Sequence, residues 1–337
     1  MRIVWLPLEP FPLRYTEQWY SWFPREFNRW GVNYIQVNGQ PLTSGIELGS
    51  VLDAYGTTYY KMQQISKLIA LMRLGKVTSN DVLLFADLWY PGIEALKYIS
   101  CLGGQRPKIV GILHAGTYDS NDFTYRTGMR PWGHLLEAAW LGIFDRIFVA
   151  TGYHKRLILR NHQVNHDKIV VTGLPFYPDE LQKYATKEKE DIVVFPHRLD
   201  PEKQPGEFDA MAKLVGLPKV KWLKSFDICH TKEDYYQLLG KARVAISLAL
   251  QETFGYAMLE ATALGCLPLV PNRLSYPELY SETFVYQNTE DLIRKLRQYL
   301  SFPSDYERTR SQTLQYHQDY LTKSIERMLN ALNEGFD

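Results

Sequence analysis

Short apolar runs, each followed by a loop and then a helical pattern, recur along most of the chain. Arg2–Leu6, Asn33–Val37, Asp81–Ala86 (DVLLFA), Lys108–Leu113 (KIVGIL) and Asp145–Ala150 (DRIFVA) have strand length and strand composition. Helical patterns fill the gaps: 16–30, capped by Thr16, kinked by Pro24 and stopped by Gly31; 57–74, stopped by Gly75; and segments opening at Ile93 and Thr151. Strands that alternate with helices are joined by crossovers, which forces a parallel sheet covered on both faces. The pattern predicts α/β architecture with doubly wound parallel sheets.

The alternation then pauses and restarts. Asp167–Val171 is a short strand, Gly173-Leu174-Pro175-Phe176 reads as the start of a hinge, and the polar stretch Gln182–Glu190 reads as a linker. Strands follow at Asp191–Phe195, Lys219–Leu223, Val244–Leu250 and Leu267–Val270. Helices follow at Glu207–Leu214, Lys232–Gly240, Tyr256–Leu264 and Glu290–Tyr299, with a long helical tail at Ser304–Leu332. A length of 337 residues suits two such domains. The expected division is 1–175, 176–310 and a final helical segment 311–337 crossing back to the first domain.

With 38 Lys plus Arg against 37 Asp plus Glu, the net charge of +1 argues against binding nucleic acid by bulk charge, though a local basic groove fits inside a neutral total. Cys101, Cys229 and Cys266 stand far apart in no metal-ligand spacing, which points to a reducing compartment, with Cys266 in the core. Pro7 cuts short the apolar amino end, and no run approaches a membrane span, so a cytoplasmic protein is expected. Oligomeric state is not legible.

In open parallel sheets ligands sit at the carboxyl ends of strands. Asp87, His114 and Thr151 fall there in the first half. In the second half, Gln251-Glu252-Thr253-Phe254-Gly255 leaves a strand and opens a helix. The amides of Thr253, Phe254, Gly255 and Tyr256 beside a helix N-terminus suit a phosphate. Glu252 and Glu260 would repel that phosphate unless each had another partner, and sugar and ribose hydroxyls are such partners. The reading is a phosphate between two polyols, as in a nucleotide sugar. The alternative is an ordinary βαβ unit with solvated acids.

E-T-F-G-Y-A-M-L-E-A-T-A-L-G-C-L-P (252–268) resembles the E-x7-E segment of retaining glycosyltransferases with the GT-B fold, two Rossmann-like domains facing a cleft. The resemblance implies that Glu252 contacts the donor sugar, Glu260 binds the nucleotide's ribose, and the amides of Thr253 to Gly255 hold the diphosphate. H-R-L-D-P-E-K (197–203) is similar to the family's G-R-L-x-x-x-K element, with His197 in place of glycine, narrowing the room beside the phosphate. There Arg198 and Lys203 would neutralise the leaving diphosphate, so no metal and no cofactor are implied beyond a UDP- or GDP-sugar as co-substrate. His114 stands where the family commonly places a histidine facing the donor sugar across the cleft; the other reading is a structural histidine. The implied mechanism retains anomeric configuration, with the leaving phosphate taking the acceptor's proton.

The acceptor is less legible. Pro7-Leu8-Glu9-Pro10-Phe11-Pro12 replaces the family's glycine-rich first loop. F-P-H-R, Y-Y-Q-L-L-G and L-V-P-N-R-L-S-Y-P-E-L resemble the branch that mannosylates queuosine in transfer RNA, and the overall plan is similar to phage enzymes that glycosylate hydroxymethylated DNA bases. A nucleobase acceptor in DNA or RNA is therefore expected, with Arg14, Arg25, Arg29, Arg126 and Arg130 on its backbone. Asp87 and Asp119 are candidates for the acceptor hydroxyl, Asp119 on a lid-like loop. The stripe Trp19, Trp22, Phe23, Phe27 and Trp30 reads as a face packed on the sheet, or else, with Tyr15 and Tyr20, as a stacking surface for a base. A small molecule, glycan or lipid headgroup is the alternative acceptor, and a non-catalytic nucleotide-sugar-binding module the alternative of another class.

Overall fold

The computed structural model describes residues 1–12, 14–42, 53–313 and 321–335. The chain forms two compact units, Met1–Pro175 with Ser324–Asp337, and Phe176–Lys323.

In the first unit, β1 (Arg2–Leu6), β2 (Asn33–Gln36), β3 (Asp81–Phe85), β4 (Lys108–Leu113), β5 (Arg146–Val149) and β6 (Ile169–Val171) form one sheet in the order β2-β1-β3-β4-β5-β6. All its ladders are parallel. Val4, Leu83, Val110 and Phe148 are fully buried, as strands covered on both faces require. Leu6 pairs with Phe85, Phe85 with Gly111, and Leu113 with Val149, so these strands end together. Asp87, His114 and Thr151 thereby share one rim, beside the reversal of strand order between β1 and β3.

Helix α1 (Tyr15–Arg29) buries Trp19, Trp22, Phe23 and Phe27, and Phe23 stacks on Trp5 at 4.2 Å. The stripe is packing surface; Trp30 lies outside it, exposed past the helix end. Thr16 is not the cap. Arg14 precedes the helix without a side-chain capping bond, and the Thr16 hydroxyl accepts from the Phe11 amide instead. Pro24 lies inside the helix, which runs on to Arg29. Helix α2 (Ala54–Arg73) starts earlier than expected because Asp53 caps it, accepting from the Tyr55 and Gly56 amides. Helix α3 (Ile93–Cys101), the short α4 (Phe123–Arg126), α5 (Arg130–Ile143) and α6 (Gly152–Asn161) complete the crossovers. The C-terminal helix Ser324–Asn333 belongs to this unit and packs on α1, and Arg327 Nε donates to the Thr172 carbonyl at 2.8 Å.

The second unit holds β7 (Glu190–Phe195), β8 (Lys221–Lys224), β9 (Ala242–Ile246), β10 (Leu267–Pro271) and β11 (Val285–Tyr286), ordered β11-β10-β9-β7-β8 and again parallel. Helices α7 (Pro205–Val215), α8 (Ser225–Ile228), α9 (Lys232–Lys241), α10 (Tyr256–Ala263), α11 (Tyr276–Leu279), α12 (Thr289–Ser301) and α13 (Pro303–Thr313) surround it. The tail expected as one helix over Ser304–Leu332 includes 314–320, which lie outside the described residues.

Two expectations fail here for identifiable reasons. The stretch Gln182–Glu190 is no free linker. Gln182 donates to Ala263 O, Thr186 to Gly240 O, and Lys189 Nζ to Gly240 O and Leu264 O, so polar side chains cap the carbonyl ends of α9 and α10. Strand β9 stops at Ile246 rather than Leu250. The chain leaves the sheet there, and the Leu250 amide donates to Glu202 O in the loop after β7.

Candidate functional site

That bond joins the two strand-exit loops of the second unit. The loop after β7 carries His197, Arg198 and Lys203; the loop after β9 carries Glu252. Lys203 is buried, and its Nζ donates to the Gln251 carbonyl at 2.5 Å and lies 3.4 Å from Glu252 Oε2. Glu252 Oε1 accepts from the amides of Thr253 and Phe254 at 3.1 and 3.3 Å. Two of the amides expected to cradle phosphate thus already face a carboxylate. Burial works to raise the Glu252 pKa, but Lys203 and the Phe254 amide among its neighbours hold it below the ordinary carboxylate value. Gly255 follows with φ +85, which only glycine adopts readily, and sets the direction of α10.

His197 is 4% exposed beside this pair. Burial, reinforced by the Lys203 charge, lowers its pKa to about 3, so it is neutral. Arg198 behaves unlike Lys203. It is a third exposed and closes on its own loop, with Nη1 3.0 Å from Asp200 and Nη2 3.6 Å from Glu202. Arg273 braces the other loop by donating to Ala249 O and Leu248 O.

Glu260 does not face open solvent. Its Oε1 accepts from Tyr236 Oη at 3.0 Å and lies 3.5 Å from Lys232 Nζ, and its Oε2 accepts from Tyr235 Oη at 3.1 Å. The partners first inferred to be substrate hydroxyls are, in the protein itself, two tyrosines and a lysine on one face of α9. A carboxylate accepts about four hydrogen bonds, so two tyrosines leave capacity for further hydroxyls. Sequence reasoning missed these three residues; the signal was the spacing of Lys232, Tyr235 and Tyr236 at i, i+3 and i+4.

In the first unit, His114 Nε2 lies 2.7 Å from Ala86 O and Nδ1 lies 3.4 Å from Tyr15 Oη. A carbonyl only accepts, so Nε2 carries the proton and Nδ1 is the acceptor. Trp19 packs on the ring at 5.2 Å. Burial lowers the His114 pKa, against a smaller opposing pull from Asp87. Asp87 is committed to an ion pair with buried Lys61 at 2.8 Å, and its other oxygen accepts from the Trp89 amide. Asp119 lies in a buried turn, accepting from the Asn121 amide at 2.9 Å. The lid expected around it is pinned: Thr117 is held by Glu137 and Arg130, and Tyr118 Oη bonds His154 Nε2 at 2.6 Å. The expected nucleic-acid arginines also have partners of their own, Arg130 donating to Thr117 O. Arg25 and Arg29 share Glu26, while Arg126 is exposed and bonds Asn121 O.

The structure thus brings His197, Lys203, Glu252, Thr253, Phe254 and Gly255 together in one unit, and His114 with Tyr15 in the other. Among solved structures the chain is similar to a sucrose-phosphate synthase from Thermosynechococcus elongatus, at TM-score 0.71 and 11% identity over 99% of this chain and 98% of that one. It is similar to the catalytic domain of starch synthase IV from Arabidopsis thaliana bound to ADP and acarbose, at TM-score 0.65 and 10% identity over 99% of each chain. An α,α-trehalose-phosphate synthase from Burkholderia xenovorans aligns at TM-score 0.64 and 11% identity over 98% and 100%. The fold is GT-B: two parallel-sheet α/β domains with a helix returning to the first. In sequence, 81 residues are 38% identical to a tRNA-queuosine alpha-mannosyltransferase of Drosophila melanogaster, a match spanning 24% of this chain and 22% of that protein. No protein-family model matches the chain. Among the described residues no helix is long and apolar enough to cross a membrane.

Proposed function

We propose that the protein is a retaining glycosyltransferase that moves a sugar from a UDP- or GDP-sugar to a hydroxyl of a modified nucleobase in DNA or RNA. The observation that carries the donor half is the buried Lys203 against Glu252, where two strand-exit loops of the second sheet meet. A buried cation beside backbone amides suits a diphosphate, and it stabilises the charge that develops as the phosphate leaves. Arg198 adds a second cation, since a guanidinium has five N–H donors and two carboxylates do not exhaust them.

On this reading the phosphate displaces the Glu252 carboxylate from the Thr253 and Phe254 amides, and Glu252 turns to the sugar hydroxyls. Glu260, oriented by Tyr235 and Tyr236, accepts from the ribose. His114, whose Nε2–H is held by Ala86 O, accepts from a sugar hydroxyl at Nδ1 in place of Tyr15 Oη. The bond from C1 of the sugar to the phosphate oxygen breaks, the acceptor oxygen bonds C1 on the same face, and its proton passes to the departing phosphate. No protein base is needed, so the commitment of Asp87 to Lys61 is no obstacle. The partial match to a tRNA-queuosine mannosyltransferase supports a nucleobase acceptor.

The test is mass spectrometry of tRNA and of hydroxymethylated DNA after incubation with a panel of nucleotide sugars, beside Glu252→Gln as control. A hexose-sized mass gain on nucleic acid, lost in the variant, is expected. Donor turnover on small acceptors alone would refute the nucleobase part. Nucleotide-sugar binding with no turnover on any acceptor would make the protein a binding module.

A further inference from the structure

Behind the β4 exit loop of the first unit lies a group of side chains that the glycosyltransferase reading does not use. His134 and Glu137 stand three apart on one face of α5, and His162 follows the last turn of α6. One ligand atom from each of the three lies within 4.8 Å of the other two. We propose that this triad is a binding site for zinc or a similar divalent transition metal, with a structural role.

Three observations point to a ligand. First, the His162 side chain is 1% exposed, and its Nδ1, like His134 Nδ1, has no hydrogen-bond partner among the described residues, while its Nε2 lies 3.3 Å from Glu137 Oε2. Buried polar atoms without partners are rare because leaving them unmade is costly. A metal satisfies them through the lone pair each neutral imidazole offers. Second, Glu137 is already oriented as a ligating carboxylate would be. It accepts from the Thr117 amide at 2.5 Å and the Thr117 hydroxyl at 2.6 Å, and such outer-shell bonds aim a carboxylate while leaving lone pairs for a metal. Gly116 makes room, since a Cβ there would clash with Glu137 Oε1. Third, the chemistry of the set is selective. Two imidazoles and one carboxylate suit zinc, whereas magnesium and calcium prefer shells built of oxygen.

The geometry needs a modest adjustment. Ligands of a tetrahedral zinc at ~2.0–2.1 Å stand about 3.4 Å apart, so the three atoms must close inward. His134 and His162 are stacked at 4.4 Å between ring centres, and the His134 ring, the less buried of the two, must rotate to bring its lone pair to the centre. The fourth position is open to water. Such a metal would tie α5, the end of α6 and, through Glu137 and Thr117, the loop that starts at His114.

The test uses the untagged full chain stripped with chelator. Isothermal titration with zinc chloride should show one tight equivalent per chain, and melting should rise by about 5 °C at a hundredfold excess over Kd. Cobalt should give the visible spectrum of a tetrahedral site with nitrogen and oxygen ligands. His134→Gln, at the partly exposed corner, should melt like the wild type without metal and lose the equivalent, the spectrum and the shift. Glu137→Gln provides a second variant, and magnesium should produce no shift. Absence of a zinc equivalent in the wild type, or equal binding by His134→Gln, would overturn the proposal.

Discussion

Replacing Lys203 with methionine keeps the volume and removes the cation that faces Glu252. The side chain is buried, so methionine replaces it without a cavity, and the cost falls on what is left behind. Gln251 O loses a 2.5 Å donor, and the Glu252 carboxylate loses the nearest charge that opposes its burial. Removing one partner of a buried pair costs about 3–5 kcal/mol. Glu252 is 17% exposed at its side chain and keeps the Thr253 and Phe254 amides, which places the expected loss near ~3 kcal/mol. Glu252→Gln should cost about 1–2 kcal/mol, and the double variant should fall short of the sum by about 1–3 kcal/mol because both changes act on one contact. A two-unit chain is not safely two-state, so the readout must report the second unit alone. Trp222 is the lone tryptophan of that unit and packs on Phe208 at 5.3 Å. Fluorine NMR of 5-fluorotryptophan protein in urea follows it directly. Under the proposed function the same variant should bind UDP or GDP about 10- to 150-fold more weakly, the value of a charge-assisted bond of about 1.5–3 kcal/mol. An unchanged urea midpoint for Lys203→Met, or full additivity in the cycle, would refute the coupling; unchanged nucleotide affinity would refute the cation's role.

Acid should weaken each unit through a different histidine. Burial holds His154 in the first unit and His197 in the second at a pKa of about 3. The unfolded chain, with a histidine pKa near ~6.5, therefore binds a proton that the folded chain refuses, so stability is full above pH ~6.5 and falls as pH drops towards 3, by about 2 kcal/mol per histidine at pH 5. Equal urea midpoints at pH 7 and pH 5 would refute this, and His154→Gln, which can still meet Tyr118, should flatten the dependence of the first unit only. Tyr236→Phe removes a donor from buried Glu260 and should destabilise by about 1.5–3 kcal/mol, measured by the same fluorine signal; a neutral effect would mean that the carboxylate is satisfied elsewhere.

The strands were legible where both faces are covered, because continuous apolar runs admit no other use. KIVGIL matches β4 to the residue, and DVLLFA overshoots β3 by one. The errors come where backbone partners are non-local. Nothing in Ser247–Leu250 says that the chain must leave the sheet; the reason is Glu202, far away in sequence, whose carbonyl takes the Leu250 amide. The polar run 182–190 has the composition of a linker, but its carbonyl partners sit on α9 and α10, and local composition cannot reveal them. Asp53 rather than Thr57 starts α2, through a side-chain bond to the Tyr55 amide.

The donor loops show the same division between what spacing carries and what burial adds. Arg198 and Lys203 look equivalent in H-R-L-D-P-E-K, as two cations five positions apart. They are not, because Asp200 and Glu202 stand two and four places from Arg198 and claim its guanidinium, while the short turn at Pro201–Lys203 carries Lys203 inward to Glu252. Under the proposed function a partly exposed, self-paired arginine and a buried, pre-paired lysine do different work on an anion. On that reading the lysine supplies a fixed charge at little reorganisation cost, and the arginine offers the N–H donors that its own acids leave over. The same logic applies to the acids of E-x7-E. Glu252 is held by Lys203 and the Thr253 and Phe254 amides, groups that a diphosphate would also seek, so under the proposed function it is the acid that changes partners. Glu260 is held by Tyr235, Tyr236 and Lys232, three side chains on one helix, α9. The two acids of E-x7-E are thus held by different surroundings, Glu252 by the β7 loop and its own loop's amides, Glu260 by α9.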